Sequence, residues 1–243
     1  MKIKFKKPQN ISQDEKQAMY QLFSSCHSID YDVYDASFKL YSDYALGYEG
    51  DRLVALSAID IKLLNLSSSK IVSIYMGSSC VEPEYRSAGF IQKASIKAML
   101  KAALNYPFYK KYIWCLAATY KPYMFFSKVL KEGYPKRNTI YSEKVLETRD
   151  SLIKNCPVKY GQIGWMNASP VKWKLKDDAN RITSSDLNDP DVAFYHSFNL
   201  PEDHGIFTFA PASMENLIFH VKNASIKNVR KAIGMTPLTA SRG

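Results

Sequence analysis

The chain has little of what marks several common protein classes. Its 243 residues hold four cysteines (Cys26, Cys80, Cys115 and Cys156), widely spaced and with no CxxC pair. That spacing argues against a zinc site or a disulfide framework and favours buried free thiols in a reducing compartment. The histidines, His27, His196, His204 and His220, form no HxH or HxxH pair, so no metal is expected. No local signature supports pairing any of them with Cys80 or Cys115 as a nucleophile. No run approaches the ~20 uninterrupted apolar residues of a membrane span. The basic start, Met1 to Pro8, has no apolar segment or small-residue cleavage site behind it. The expectation is a cytoplasmic protein without a membrane span.

Acidic residues are missing from two stretches. None occurs between Tyr85 and Lys131, where Arg86, Lys93, Lys97, Lys101, Lys110, Lys111, Lys121, Lys128 and Lys131 fall. None follows Glu215 either, while Lys222, Lys227, Arg230, Lys231 and Arg242 do. The net charge of +10 is therefore unevenly placed and favours an anionic ligand: a nucleotide, a polynucleotide or a membrane surface. A lysine-rich solvated face is the alternative.

What is present reads as a mixed α/β chain. Residues 2–6 alternate as a half-buried strand. Ser12 with Glu15 makes a capping box for a helix through about Ser24, with Ala18, Met19, Leu22 and Phe23 on its apolar face. Tyr31 to Leu40 is a second helix. Tyr44 to Tyr48 and Leu53 to Ile61 are strands joined by a hairpin at Glu49 to Arg52. Ile71 to Val81 is a long strand, Phe90 to Leu104 a helix and Tyr112 to Ala118 a buried strand. Tyr123 to Lys131 is a helix ended by Gly133, and a strand is expected around Thr139 to Val145. The rings of Tyr106, Phe108, Tyr109 and Tyr112 either close the core at a helix-to-strand connection or offer stacking surfaces beside Lys110 and Lys111. Core packing is the commoner use. Beyond Glu147 polar turns such as Asp177 to Asn180 interrupt short apolar pieces. Gly205 to Ala210 alternates like a strand, and Met214 to Lys222 is helix-like.

The most informative stretch is Val81-Glu-Pro-Glu-Tyr-Arg-Ser-Ala-Gly-Phe-Ile, between the long strand and the helix. A glycine-bearing loop opening into a helix exposes backbone N–H groups at the helix's positive end, which suits phosphate. With the element order, this stretch resembles the GNAT acyltransferase superfamily, over roughly residues 1–145. Only Ile91 departs from the small residue usual at the end of the loop. Thr119-Tyr-Lys-Pro-Tyr and the C-terminal third are also similar to a little-characterised bacterial subgroup.

The resemblance implies a mixed, mostly antiparallel sheet flanked by helices, splayed open between the strand Ile71–Val81 and the next. It implies a coenzyme-binding domain over 1–146, with a C-terminal extension, 147–243, shaping the acceptor site. It further implies acetyl-CoA or another acyl-CoA as co-substrate and an unidentified amine as acceptor. The thioester carbonyl would meet a main-chain N–H near Cys80 or Val81. The phosphates would lie on the N–H groups of Arg86, Ser87, Ala88, Gly89, Phe90 and Ile91, with Lys93 and Lys97 reaching outward toward the nucleotide.

Many relatives carry a glutamate base on this strand, and here there is none. Tyr75 is its main polar side chain, sharing a face with Ser73 and Ser79 if the strand is regular. Asp60 is the nearest carboxylate by sequence. Where relatives often place a tyrosine thiol donor, Phe126 stands, and Tyr120, Tyr123 and Ser127 are substitutes. The expectation is an acyl-CoA-dependent N-acyltransferase with Tyr123 and Tyr75 as catalytic candidates. The alternatives are a non-catalytic coenzyme- or anion-binding protein, or nucleic-acid binding or modification.

Overall fold

The computed structural model describes residues 1–67, 69–156, 169–170, 174–176, 181–199 and 204–219. The expected turn 177–180, His220 and the basic tail residues Lys222, Lys227, Arg230, Lys231 and Arg242 lie outside them.

β1 (Lys2–Lys6) alternates as expected. α1 (Gln13–Cys26) starts at Ser12, whose hydroxyl accepts the Glu15 N–H at 3.2 Å. That is half a capping box, because the Glu15 carboxylate turns instead to Lys6 and the Tyr48 hydroxyl. β2 (His27–Ser28) and α2 (Tyr31–Phe38) follow. β3 (Asp43–Glu49) and β4 (Arg52–Asn65) form the hairpin, with Gly50 at φ 59° supplying the left-handed turn residue. β5 (Lys70–Val81), α3 (Phe90–Asn105) and β6 (Lys110–Ala117) make the parallel crossover. α4 (Tyr120–Met124) widens into a π turn at Phe125–Val129. α5 (Glu143–Lys154), β7 (Ser169–Pro170), β8 (Lys174–Leu175), α6 (Pro190–His196) and β9 (His204–Pro211) complete the described elements.

The sheet order is β1-β3-β4-β5-β6-β9-β7, with β2 and β8 forming a separate pair. Within the sheet only β5 and β6 are parallel. This is the mixed, mostly antiparallel sheet that was expected. Each face buries its own core. One holds Phe23, Tyr44, Tyr75, Trp114 and Phe207 beneath α1, α2 and α5. The other holds Val72, Ile74, Met76, Phe90 and Met99 beneath α3. Trp114 is wholly buried, and its indole N–H donates to the Ser73 hydroxyl at 2.7 Å.

Four expectations are corrected. The segment 139–145 is not a strand. From Glu143 the chain is α5, seating Thr148 and Leu152 against the core. The strand beside β6 is β9, paired antiparallel from Tyr112↔Pro211 to Ala117↔Ile206. The Tyr123 helix begins earlier, at Tyr120, and Gly133 does not cap it through a left-handed residue; a Cβ there would collide with the Phe126 carbonyl. Nor do all the connection's rings close the core: Tyr106 and Tyr112 pack inward, but Phe108 is 96% exposed. Cys26 and Cys80 are a disulfide pair rather than free thiols, their Cα atoms 6.4 Å apart. Fifty-four residues separate them, so no local spacing announces the pair. Cys115 and Cys156 form no disulfide among the described residues.

Candidate functional site

The site is built where β5 and β6 part. Their pairing runs from Ile71↔Lys110 to Tyr75↔Trp114 and stops, although β5 continues to Val81 and β6 to Ala117. A gap therefore opens between two adjacent strands at their C-terminal ends, the end of an open sheet where α/β folds place ligands.

A bulge prepares the open edge. Leu56 pairs with Cys80 and Ala58 with Gly77, so β5 carries one more residue than β4 between them. Ser78 absorbs it at φ 44°. The extra residue reverses the strand's alternation. Tyr75 and Cys80 enter the core under α1, while Met76 and Val81 face the α3 side. Ser79 therefore does not share a face with Tyr75 and Ser73, as a regular strand would require. Its hydroxyl meets that of Ser57 at 2.8 Å.

The same bulge sets the backbone. The Glu82 N–H donates to the Val54 carbonyl at 3.0 Å, and Ala55 stands opposite Val81. Along an antiparallel ladder successive N–H groups alternate, so that of Val81 points away from β4, toward the gap. Beyond it the chain turns through a 3-10 segment, Pro83–Ala88, to Gly89 at φ 71°, which opens α3 directly. No described atom nearer than the Gln92 carboxamide oxygen, at 3.7 Å, would meet a side chain built on Gly89. The loop thus faces open space, with the positive N-terminal end of α3 behind it.

The basic residues around the loop are held in specific ways. Arg86 donates through Nε to the Val81 carbonyl at 3.2 Å, across the open strand edge. Lys93 folds back on the Ala88 carbonyl at 3.1 Å, which keeps its charge at the loop. Lys97 does not reach toward a nucleotide: it donates to Ile3 O at 3.2 Å and lies over the Phe5 ring. Ile91, the residue departing from the family pattern, is half-buried against the α3-side core. Its bulk is thereby partly accommodated inside the protein.

Tyr75 is the last residue of β5 paired with β6, and it is buried. Tyr41 stacks near it at 6.1 Å and Trp114 at 4.5 Å, while its hydroxyl lies over Gly77, where no Cβ would fit. Asp60 stands opposite Tyr75 on β4, bound to Lys62 at 2.7 Å, and burial raises its pKa. Tyr123 sits just after β6 at the gap's end of the sheet, with its ring packed on Phe194 and Tyr195. Its hydroxyl is buried without a hydrogen-bond partner among the described residues, and burial pushes its pKa up. Phe126, in the usual tyrosine's place, joins the core beneath α3. Cys115 is pushed up to about 12 by burial, which makes it a poor nucleophile.

Sequence reasoning passed over His27. It is 5% exposed, stacked on Phe23 at 4.2 Å, and its Nδ1 lies 3.3 Å from the Phe23 carbonyl. Burial, with a smaller contribution from the nearby Arg86 charge, depresses its pKa to about 4. Below its ordinary value of 6.5 an unfolded chain takes up a proton here that the fold refuses. Stability should therefore fall as the pH drops from about 6.5 to about 4, by roughly 3 kcal/mol in total. Urea unfolding across that window should show the slope, and His27→Gln should flatten it. An equal slope in the variant would place the effect elsewhere.

No family model and no curated protein matches the chain. Among solved structures, it is similar to ElaA of Escherichia coli at 19% identity and TM-score 0.39, over 56% of this chain and 93% of that one. It is similar to the aminoglycoside 6'-N-acetyltransferase AAC(6')-IG of Acinetobacter haemolyticus at 16% identity and TM-score 0.41, covering 59% and 98%. It is also similar to the E. coli GNAT family N-acetyltransferase YhbS, solved in complex with CoA, at 12% identity and TM-score 0.36, covering 53% and 68%. The strand order, the parting of β5 from β6 and the Gly89 loop are the arrangement that the resemblance of the sequence to the GNAT superfamily implied.

Proposed function

We propose that the chain is an acyl-CoA-dependent N-acyltransferase, with acetyl-CoA the first candidate donor and an amine the acceptor. One observation carries this reading. The gap between β5 and β6, the Val81 N–H directed into it and the Gly89 loop are consecutive features of one stretch of chain. A thioester donor needs a hydrogen bond to its carbonyl and a seat for its pyrophosphate, in that order along an extended molecule. The Val81 N–H supplies the first, whereas by the same alternation that of Cys80 points back toward β4. Those from Arg86 through Ser87, Ala88, Gly89 and Phe90 to Ile91 supply the second.

The chemistry then needs little from side chains. A neutral amine attacks the polarised carbonyl carbon and the C–S bond breaks. The amine loses its proton to water or to a base, and the thiolate gains one. Tyr75, at the mouth of the gap, is the candidate to orient the amine or its water. Tyr123 is the candidate thiol donor, since its hydroxyl has no hydrogen-bond partner among the described residues. Tyr123→Phe should lower turnover at least tenfold and leave the coenzyme dissociation constant unchanged. It should also raise stability by about 1 kcal/mol, because an unpaired buried hydroxyl is removed. Unchanged turnover with raised stability would make Tyr123 a packing residue.

We assign residues 1–146 to the coenzyme and 147–243 to shaping the acceptor side, where β9 lies against β6 and α6 against Tyr123. The reading is tested by free-thiol release from acetyl-CoA in the presence of a panel of amines, aminoglycosides included. Acceptor-dependent release supports transfer. Coenzyme binding without release for any amine would favour the non-catalytic binding protein.

A further inference from the structure

The end of the sheet away from the gap carries a surface that the acyltransferase reading does not use. Where α3 turns into β6, Leu104 is 82% and Phe108 96% exposed, with Tyr109 at 37%. Leu100, one helical turn before Leu104, is 44% exposed. The turn is a fixed corner. The Tyr109 N–H bonds to Tyr106 O at 3.3 Å, and Lys111 ties the Pro107 and Tyr109 carbonyls at 3.4 and 2.6 Å. Large apolar side chains on a braced, convex corner indicate a surface that is covered when the protein works.

Charge indicates what covers it. Lys111 binds only carbonyls here and so keeps its charge. Lys110 and the Lys144 of α5 are both exposed here, and the Lys144 charge lowers the Lys110 pKa. Like charges exposed on one corner favour an anionic partner. Of the carboxylates at this end, Asp43 is taken by Lys101 at 2.5 Å, and Glu147 accepts the Ser67 N–H at 3.2 Å while also feeling the Lys144 charge. Glu143 is exposed beside Lys144. The sequence after Phe219 adds five basic residues and no acid.

We propose that this corner docks the protein on an anionic lipid surface, with Phe108 and Leu104 entering the headgroup boundary and Lys110, Lys111 and Lys144 facing the lipid anions. Among the described residues no helix is long and apolar enough to cross a membrane, so the contact is peripheral. Nucleic acid is the less favoured occupant, because exposed leucines gain nothing from base stacking, whereas a lipid boundary takes leucine and phenylalanine alike.

The test is flotation of the full chain with phosphatidylcholine vesicles, with and without phosphatidylserine. Binding should require phosphatidylserine and weaken with salt. Leu104→Ser with Phe108→Ser should reduce partitioning at least tenfold at unchanged melting temperature, since both side chains are exposed in the free protein. Lys110→Glu should reduce it about fivefold or more, and Lys2→Glu, on the far edge strand, by less. Absence of flotation would overturn the proposal, as would equal flotation without phosphatidylserine. Equal effects of Lys110→Glu and Lys2→Glu would reduce it to non-specific attraction and overturn the docking site. Loss in the same variants of binding to a single-stranded RNA, or of self-association, without vesicle binding would assign the corner to that partner instead.

Discussion

Replacing Gly89 by Trp is expected to weaken coenzyme A binding about a hundredfold or more, while the protein stays folded. The two effects separate because they have different causes. Gly89 sits at φ 71°, so a residue with a Cβ costs about 1–2 kcal/mol there, and the space around it is open. The fold tolerates that. A bound pyrophosphate would not, because its oxygens must approach the loop N–H groups as closely as hydrogen bonds require, and an indole would stand between them. Losing two such bonds to a charged ligand is worth about 3 kcal/mol, which corresponds to the hundredfold change. Thermal melting of the variant beside its titration checks both halves. Unchanged affinity in a folded Gly89→Trp protein would reject the loop as the phosphate site.

Gly133→Ala is expected to be the most destabilising single methyl addition among the described glycines, at about 3 kcal/mol or more. The Cβ would fall on the carbonyl of Phe126, a backbone atom in the π turn that no rotamer change can move aside. At Gly77 the obstructing atoms belong to the Tyr75 side chain, and at Gly50 there is no neighbour within 4 Å. Urea unfolding of the three Gly→Ala variants should rank them Gly133, Gly77, Gly50 in loss, with Gly50 limited to the strain of its positive φ. The loss at Gly133 should be large because the π turn sets Phe126 into the core beneath α3. A Gly133→Ala protein as stable as the parent would show that this crossing of the chain is loose.

What could be read from the sequence was local. Ser12 and Glu15 marked the start of α1, Gly50 marked the hairpin, and Val81 through Gly89 marked the turn into α3. Each of these is specified by residues a few positions apart. What could not be read depends on residues far apart. Gly205 to Ala210 alternates visibly, but nothing in it says that it lies beside β6. The stretch around Thr139 to Val145 was expected to be a strand, and from Glu143 it is helix instead. The Ser78 bulge is silent in sequence because serine carries no preference for positive φ. Yet that one extra residue decides that Cys80 faces Cys26, that Ser79 turns from Tyr75, and that the Val81 N–H faces the gap. Phe108 was misjudged by composition. An aromatic ring in a connection usually closes a core, and only the turn geometry shows this one outside it.

The measurement bearing most directly on the coenzyme site is calorimetric titration of the folded protein with coenzyme A and acetyl-CoA at two salt concentrations. Saturable binding of one molecule per chain, with a dissociation constant on the order of micromolar, is the predicted result. It should weaken only modestly with salt, because the phosphates are held by fixed N–H groups rather than by a mobile lysine field. No binding by a folded protein would contradict the coenzyme site, and a steep salt dependence with no defined stoichiometry would point to non-specific attraction by a basic surface.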